Sequence, residues 1–119
     1  NSSILITGLS VKPDESFIDK VINENKVNYK VNIMHYPDEF DNIKKYNYDL
    51  VLAGHSHNGQ IALPIYGAVI TPENAKEYYK PYYKIDNTSF YISSGVGTTK
   101  FDYRFLNKPS FNLYRILKK

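Results

Sequence analysis

Three histidines are the residues of this 119-residue chain whose type and spacing best suit chemistry. His55 and His57 belong to the segment Gly-His-Ser-His, and His35 lies upstream of them. Neutral imidazole is the commonest metal ligand in proteins, and its charge changes near neutral pH. A lone histidine or a lone His-x-His pair more often has a structural role than a metal-binding one. Here, however, all three histidines of the chain belong to one pattern. We therefore predict that His35, His55 and His57 bind metal in the intact protein.

The elements predicted around these histidines bring all three to one edge of a β-sheet. Residues 4–6, 29–34 and 50–53 are predicted strands, and the helices between them begin near Pro13 and Pro37. This alternation implies parallel strands joined by right-handed crossovers. His35 ends the second strand and His55 follows the third, and ligands of open parallel sheets bind beyond the carboxyl ends of the strands. The apolar run 50–53 favours a central strand that is covered on both faces.

The second half of the chain is predicted to be less regular. Further strands are expected at 60–63, 90–93 and 111–116, with an irregular excursion over 64–86. A loop of that length in a compact domain is usually functional or belongs to an interface. Its tyrosine pairs, at 78–79 and 82–83, line a substrate pocket, contact a lipid surface or pack on their own domain. The predicted fold class is α/β, with a mixed β-sheet and flanking helices.

The composition excludes several classes of protein. Hydrophobic residues make up 42% and charged residues 23% of the chain, which is typical of a soluble globular domain. Cysteine is absent, so disulfides and thiol catalysis are excluded. The net charge is +3 and the lysines are scattered, which predicts no nucleic-acid partner. The chain contains no signal-peptide pattern and no apolar run long enough to span a bilayer.

The residues around the histidines closely resemble the C-terminal half of the calcineurin-like metallophosphoesterases. The resemblance begins with His35-Tyr36-Pro37-Asp38 and continues through the apolar strand into Gly54-His55-Ser56-His57-Asn58-Gly59-Gln60. Segments 6–9, 60–64, 70–72 and 91–98, together with Arg104-Phe105, are similar to the bacterial branch of YkuE/YaeI-type phosphohydrolases. The resemblance covers nearly the whole chain.

The resemblance implies a binuclear metal-dependent phosphohydrolase built as an αββα sandwich. His35 and His55 would share one divalent ion, and His57 would hold its neighbour. Two such ions about 4 Å apart clamp a phosphate and acidify a bridging water. Imidazole suits Mn, Zn or Fe, and the substrate class would be a phosphomonoester, phosphodiester or pyrophosphate.

Three motifs of this family are absent from the chain: Asp-x-His, Gly-Asp-x-x-Asp and Gly-Asn-His-Asp/Glu. We therefore interpret residues 1–119 as the C-terminal portion of a phosphoesterase domain whose N-terminal half is absent. The proton-donating histidine is expected upstream, so no catalytic residue is assigned here, and the isolated chain is predicted to be inactive or nearly so. The alternative is a non-enzymatic module that binds metal or a partner through its imidazoles.

The absent half has consequences for assembly and location. Removing half of a layered fold exposes a sheet edge and an apolar face, so we expect the isolated chain to self-associate. The resembled branch often carries an N-terminal membrane anchor. The intact protein is therefore expected to be cytoplasmic or membrane-associated.

Four further residues are candidates for contact with the substrate or for support of the metal ligands: Gly54, Asn58, Gln60 and Arg104. Asn58 either contacts substrate or only shapes the turn, because asparagine tolerates left-handed backbone. Arg104 either pairs with a phosphate as a planar fork or forms a surface salt bridge. Residues 93–98 either cradle a phosphate or form a turn beside the metal edge, and Asp38 and Glu39 are either a carboxylate pair or the acids of a helix start.

Overall fold

A computed structural model of the protein describes residues 2–11, 14–59, 61–63, 65, 67–98 and 102–117. Strands and helices alternate in the first half, and short strands follow in the second. In chain order the elements are β1 (Ile4–Gly8), α1 (Glu15–Glu24), β2 (Tyr29–Ile33), α2 (Phe40–Ile43), β3 (Leu50–Ala53), β4 (Ala62–Leu63), β5 (Gly67–Ala68), β6 (Tyr82–Ile85) and β7 (Thr88–Ile92). No helix in the described part of the chain is long and apolar enough to cross a bilayer.

The main sheet is mixed, as predicted. Its five described strands lie in the order β1-β2-β3-β7-β6, so β3 is central. The pairs β1–β2, β2–β3 and β3–β7 are parallel, whereas β6 and β7 form an antiparallel hairpin. The carboxyl ends of β2 and β3, where His35 and His55 follow, therefore lie side by side.

The first predicted helix is present as α1. Asp14 caps it, because its carboxylate accepts hydrogen bonds from the backbone N–H groups of Ser16 and Phe17. Pro13, where we expected the helix to begin, lies outside the described residues. Ile18 of this helix is buried in the core, whereas the neighbouring Phe17 is exposed.

The second helical segment begins at Pro37, where the sequence predicted. It consists of a 3-10 turn at Pro37–Glu39, then α2, then a 3-10 turn at Lys44–Tyr46. Asn47 stops it in left-handed backbone at φ 51°. Asparagine accepts this conformation more readily than most residues, which accounts for the stop.

The core lies where both helices pack on the sheet. Phe40 of α2 stacks on Phe90 of β7 with ring centroids 4.9 Å apart. Both rings are buried together with Ile18, Ile43 and Val51. Val51 is the register partner of Phe90, so strand pairing and helix packing meet at one point.

The opposite face of the sheet is partly open. Ile4, Ile6 and Ile33 are exposed on β1 and β2. The C-terminal segment lies over another part of this face, where the rings of Tyr114 and Tyr91 are 5.2 Å apart at their centroids. A cavity of about 570 Å³ beneath this segment is lined by the starts of strands, at the sheet edge remote from the histidines.

Three predictions for the second half were wrong or only partly right. Residues 111–116 form no strand: the ring of Tyr114 packs on Tyr91, whereas Phe111 and Leu113 remain exposed, so their alternation does not reflect a buried face. The strand expected at 60–63 is only β4, because it pairs with the equally short β5. The excursion 64–86 is not wholly irregular, because Tyr82–Ile85 forms β6 against β7.

Candidate metal site

His35 and His55 are brought together by the neighbouring ends of β2 and β3. Their ring centroids are 4.8 Å apart. The backbone N–H of Gly54 donates to the carbonyl of His35 at 3.4 Å, so the strand pairing extends to the loops that carry the two rings. The ring of Tyr36 packs against both, at 5.1 Å from His35 and 4.5 Å from His55 between centroids.

The orientation of His55 is fixed by a backbone carbonyl. Its Nε2 lies 2.8 Å from the carbonyl oxygen of Glu73. A carbonyl can only accept, so the neutral ring must carry its proton on Nε2. The lone pair then lies on Nδ1. Metal-binding histidines commonly donate their other N–H to a carbonyl in this way.

The turn after β3 is built from left-handed backbone. His55, His57 and Asn58 have φ values of 61°, 46° and 50°. Left-handed backbone costs a non-glycine residue about 1–2 kcal/mol, and such costs cluster at functional sites. The buried hydroxyl of Ser56 ties the turn, since it accepts from the N–H of Asn58 at 3.1 Å and donates to the carbonyl of Tyr79 at 3.3 Å.

His57 is held by the segment that follows the last strand. Nη2 of Arg104 lies 3.1 Å from Nδ1 of His57. The amide of Asn107 donates to the carbonyl oxygen of His57. On its other side the ring meets Gly95, where an added Cβ would lie 3.6 Å from Nδ1 of His57. The turn after β7 therefore packs beside the histidines.

Arg104 holds its own turn as well as His57. Its Nη2 donates to the carbonyls of Ser94 at 2.7 Å and Gly95 at 3.1 Å, and its Nε donates to the carbonyl of Gly97 at 3.0 Å. Its Nη1 is buried and has no hydrogen-bond partner among the described residues. This arrangement replaces the surface salt bridge that the sequence alone favoured.

The electrostatics favour neutral imidazoles at this edge. Partial desolvation lowers the pKa of His35 even though its side chain is exposed, and the neighbouring His55 lowers it further. Burial lowers the pKa of His57, the Arg104 guanidinium adds to this effect, and a hydrogen bond with the Ser94 backbone opposes it. A metal ion binds the neutral form of histidine, so the shift at His35 suits a ligand. At His57 the Nδ1 lone pair already accepts from Arg104, so the neutral ring carries its proton on Nε2 in this structure.

Asp38 fastens the loop that carries Glu73. Its carboxylate accepts hydrogen bonds from the backbone N–H groups of Lys76 at 2.8 Å, Glu77 at 3.1 Å and Tyr78 at 3.0 Å. Asp38 and Glu39 lie in the first turn of the helical segment, which confirms the interpretation of these acids as part of a helix start, although the Asp38 carboxylate makes no capping bond to its own turn. Asp38 is thus connected to the histidine edge in two ways. It follows β2, and it holds the loop that carries Glu73.

Comparison with known proteins places the chain beside named phosphoesterases. It is 36% identical over 88 residues to a Bacillus subtilis protein named uncharacterized metallophosphoesterase YkuE, covering 74% of this chain. It is 30% identical over 66 residues, 56% of the chain, to the Escherichia coli phosphodiesterase YaeI. It is 31% identical over 105 residues, 86% of the chain, to an uncharacterized metallophosphoesterase of Helicobacter pylori. The chain belongs to the metallophosphoesterase family.

The shared region is only part of each of these metallophosphoesterases. The chain spans 31% of the Bacillus protein, 24% of the Escherichia protein and 27% of the Helicobacter protein. No family model matches the chain, and no solved structure matches it.

The imidazoles of this metallophosphoesterase chain are donors that suit a divalent metal ion. Two imidazoles are in ring contact, and one has its tautomer fixed with the lone pair on Nδ1. Within the ranges that the structure describes, no group of three His, Cys, Asp or Glu side chains is arranged to hold an ion. His35 and His55 alone would therefore supply only part of a coordination sphere.

The remaining candidate residues have different surroundings. Gly54 links the two histidine loops through its N–H, and Asn58 adopts the left-handed conformation expected of a turn residue. Gln60 lies outside the described residues. Sequence reasoning missed two supports of the site: the Glu73 carbonyl and Asn107. A carbonyl has no signature in sequence, and a lone asparagine in an irregular segment gives no signal.

Proposed function

We propose that the chain is the C-terminal portion of a binuclear metal-dependent phosphohydrolase. In the intact protein, His35 and His55 contribute to one divalent ion and His57 contributes to its neighbour. The observation that carries this proposal is the ring contact of His35 and His55 beyond the carboxyl ends of two parallel strands. Ligands of open parallel sheets bind at that edge, and two of the relatives are named metallophosphoesterases and the third a phosphodiesterase.

The division of labour follows from the surroundings of each residue. Paired divalent ions would polarise a phosphoryl group and lower the pKa of a bound water. His35 and His55 present imidazole nitrogens side by side, and the Glu73 carbonyl orients the His55 ring through Nε2. Asn107 fixes the backbone of His57, and Arg104 would have to release Nδ1 of His57 before this ring could bind an ion. The Ser56 hydroxyl keeps the turn closed so that both histidines keep their positions.

The 119-residue chain by itself lacks the aspartates that bridge such ions in the family, so we expect little or no hydrolysis from it. The test compares the full-length protein with residues 1–119 in the hydrolysis of a nitrophenyl phosphate and a bis-nitrophenyl phosphate with added Mn²⁺. Turnover by the full-length protein that is abolished by His55→Ala supports the proposal. Metal-dependent turnover by residues 1–119 alone would contradict it.

The same experiment separates the enzyme from a binding module. If the full-length protein binds metal through His35 and His55 but hydrolyses neither ester, a non-enzymatic metal- or partner-binding module is the better description.

The exposed side chains of Ile4, Ile6 and Ile33 support a further part of the proposal, that residues 1–119 self-associate when produced alone. A clean monomer in sedimentation at micromolar concentration would contradict that part.

A further inference from the structure

The loop that orients His55 is gripped by one side chain from the other histidine loop. Asp38 lies in the first turn of the helical segment after His35, and its two carboxylate oxygens accept hydrogen bonds from the N–H groups of three consecutive residues, 76–78. The backbone N–H of Asp38 also donates to the carbonyl of Asn74 at 3.2 Å. A carboxylate is an acceptor with two oxygens, and its bonds to N–H groups are stronger than those between neutral groups.

The gripped segment is short and tightly folded. The N–H of Ala75 donates to the carbonyl of Pro72 at 3.2 Å, and the side chain of Ala75 is fully buried. Asn74 has left-handed backbone at φ 65°. Glu73 lies inside this turn, so its carbonyl cannot shift far without moving the amides that Asp38 holds. Its oxygen lies 2.8 Å from Nε2 of His55.

We propose that Asp38 is a positioning residue for His55: by holding residues 76–78 it keeps the Glu73 carbonyl on Nε2 and so reserves Nδ1 for a metal ion. The proposal rests on the metal site proposed above. Asp38 touches neither imidazole in this role and acts only through the loop. The carboxylate of Asp38, three residues after His35, thereby sets the tautomer of His55.

The first test reads the tautomer of His55 without metal. The full-length protein is labelled with ¹⁵N-histidine, kept metal-free above the imidazole pKa, and the His55 signals are identified by their loss in His55→Gln. In the natural protein we expect the proton on Nε2. In Asp38→Ala, and more weakly in Asp38→Asn, we expect the two ring nitrogens to move toward averaged values. The Nε2–H tautomer kept in both variants would overturn the proposal.

The matched control is Glu39→Gln. It removes the same charge one residue away, and the carboxylate of Glu39 accepts a hydrogen bond from the Asn42 amide of its own helical segment. It should leave the His55 tautomer unchanged, and an equal effect in this control would overturn the proposal.

Hydrogen exchange in the natural protein supplies a readout that needs no variant. The amides of residues 76–78 should be protected, and free exchange at all three would also contradict the grip.

Metal binding then separates this proposal from the one on which it rests. Asp38→Ala should weaken Mn²⁺ binding by about 10-fold or more, as removal of outer hydrogen-bond partners does at metal sites, whereas Glu39→Gln should not. If the His55 tautomer depends on Asp38 but the full-length protein binds no metal through His55, the positioning role stands and the proposed function fails. If metal binds through His55 equally well in Asp38→Ala with its tautomer unchanged, the positioning role fails alone.

Discussion

Nη2 of Arg104 lies 3.1 Å from Nδ1 of His57, and the same nitrogen lies 2.7 Å from the carbonyl oxygen of Ser94. One guanidinium thus joins the turn after β3 to the turn after β7. These turns follow adjacent parallel strands, so the link closes the histidine edge of the sheet on one side.

Replacing Arg104 should loosen both turns. Arg104→Met keeps much of the side-chain length but removes the bonds to Ser94, Gly95 and Gly97. Hydrogen bonds that involve a charged group contribute about 1.5–3 kcal/mol, so we expect a loss of that size in the free energy of unfolding, measured with urea. Arg115→Met is the control, since Arg115 is exposed. Equal losses in the two variants would refute the clamp.

The stacked pair in the core should dominate the stability of the sheet. Phe90 is fully buried against Phe40. Phe90→Ala should lower the free energy of unfolding by about 3–5 kcal/mol, because it removes apolar burial and leaves a cavity. The same substitution at Phe111, which is 87% exposed, should cost far less. Comparable costs would mean that the core lies elsewhere.

The left-handed turn residue should accept glycine but not alanine. Asn58 has φ 50° and ψ 37°, where a side chain with a Cβ is strained. Asn58→Gly should keep the free energy of unfolding unchanged or raise it slightly, whereas Asn58→Ala should lower it by about 1 kcal/mol. Thermal unfolding of the two variants measures the difference. Alanine as stable as glycine would show that the turn is not left-handed there.

Tyr78 should make the protein sensitive to alkali. Burial raises the pKa of Tyr78 to about 12, and its hydrogen bond to Asp41 adds to the effect. Above pH 10 the folded state keeps the Tyr78 proton that the unfolded state loses. The contribution of Tyr78 to the free energy of unfolding is therefore complete below pH 10 and is lost as the pH rises toward 12. Tyr78→Phe should flatten this part of the pH profile of the unfolding free energy. An unchanged slope would contradict the assignment.

The sequence predicted the part of the fold that rests on local patterns. The apolar run Leu50–Ala53 became the central strand, and the left-handed Asn47 ends the helical segment where its residue type suggested. Because parallel strands place their carboxyl ends together, the contact of His35 and His55 was also predictable. These features depend on periodicity and on residue type alone.

The rest depends on contacts between distant segments. The apolar alternation at 111–116 predicted a strand, but Phe111 and Leu113 are exposed and only Tyr114 packs on the sheet, which the sequence pattern alone could not show. The carboxylate of Asp38 serves residues 76–78 instead of its own helical turn, and only the folded path of the loop shows this. The role of Tyr78 also depends on a contact with a distant segment, because its ring packs against Phe40 of the core.

The account depends most on the histidine edge as a metal site in the full-length protein. Elemental analysis after gel filtration measures it directly, with the natural protein, His55→Ala and the control Lys45→Ala, whose side chain is exposed. We predict about two transition-metal ions per chain in the natural protein and the control, and a loss of at least one in His55→Ala. The same metal content in all three proteins, or no bound metal in the natural protein, would contradict it.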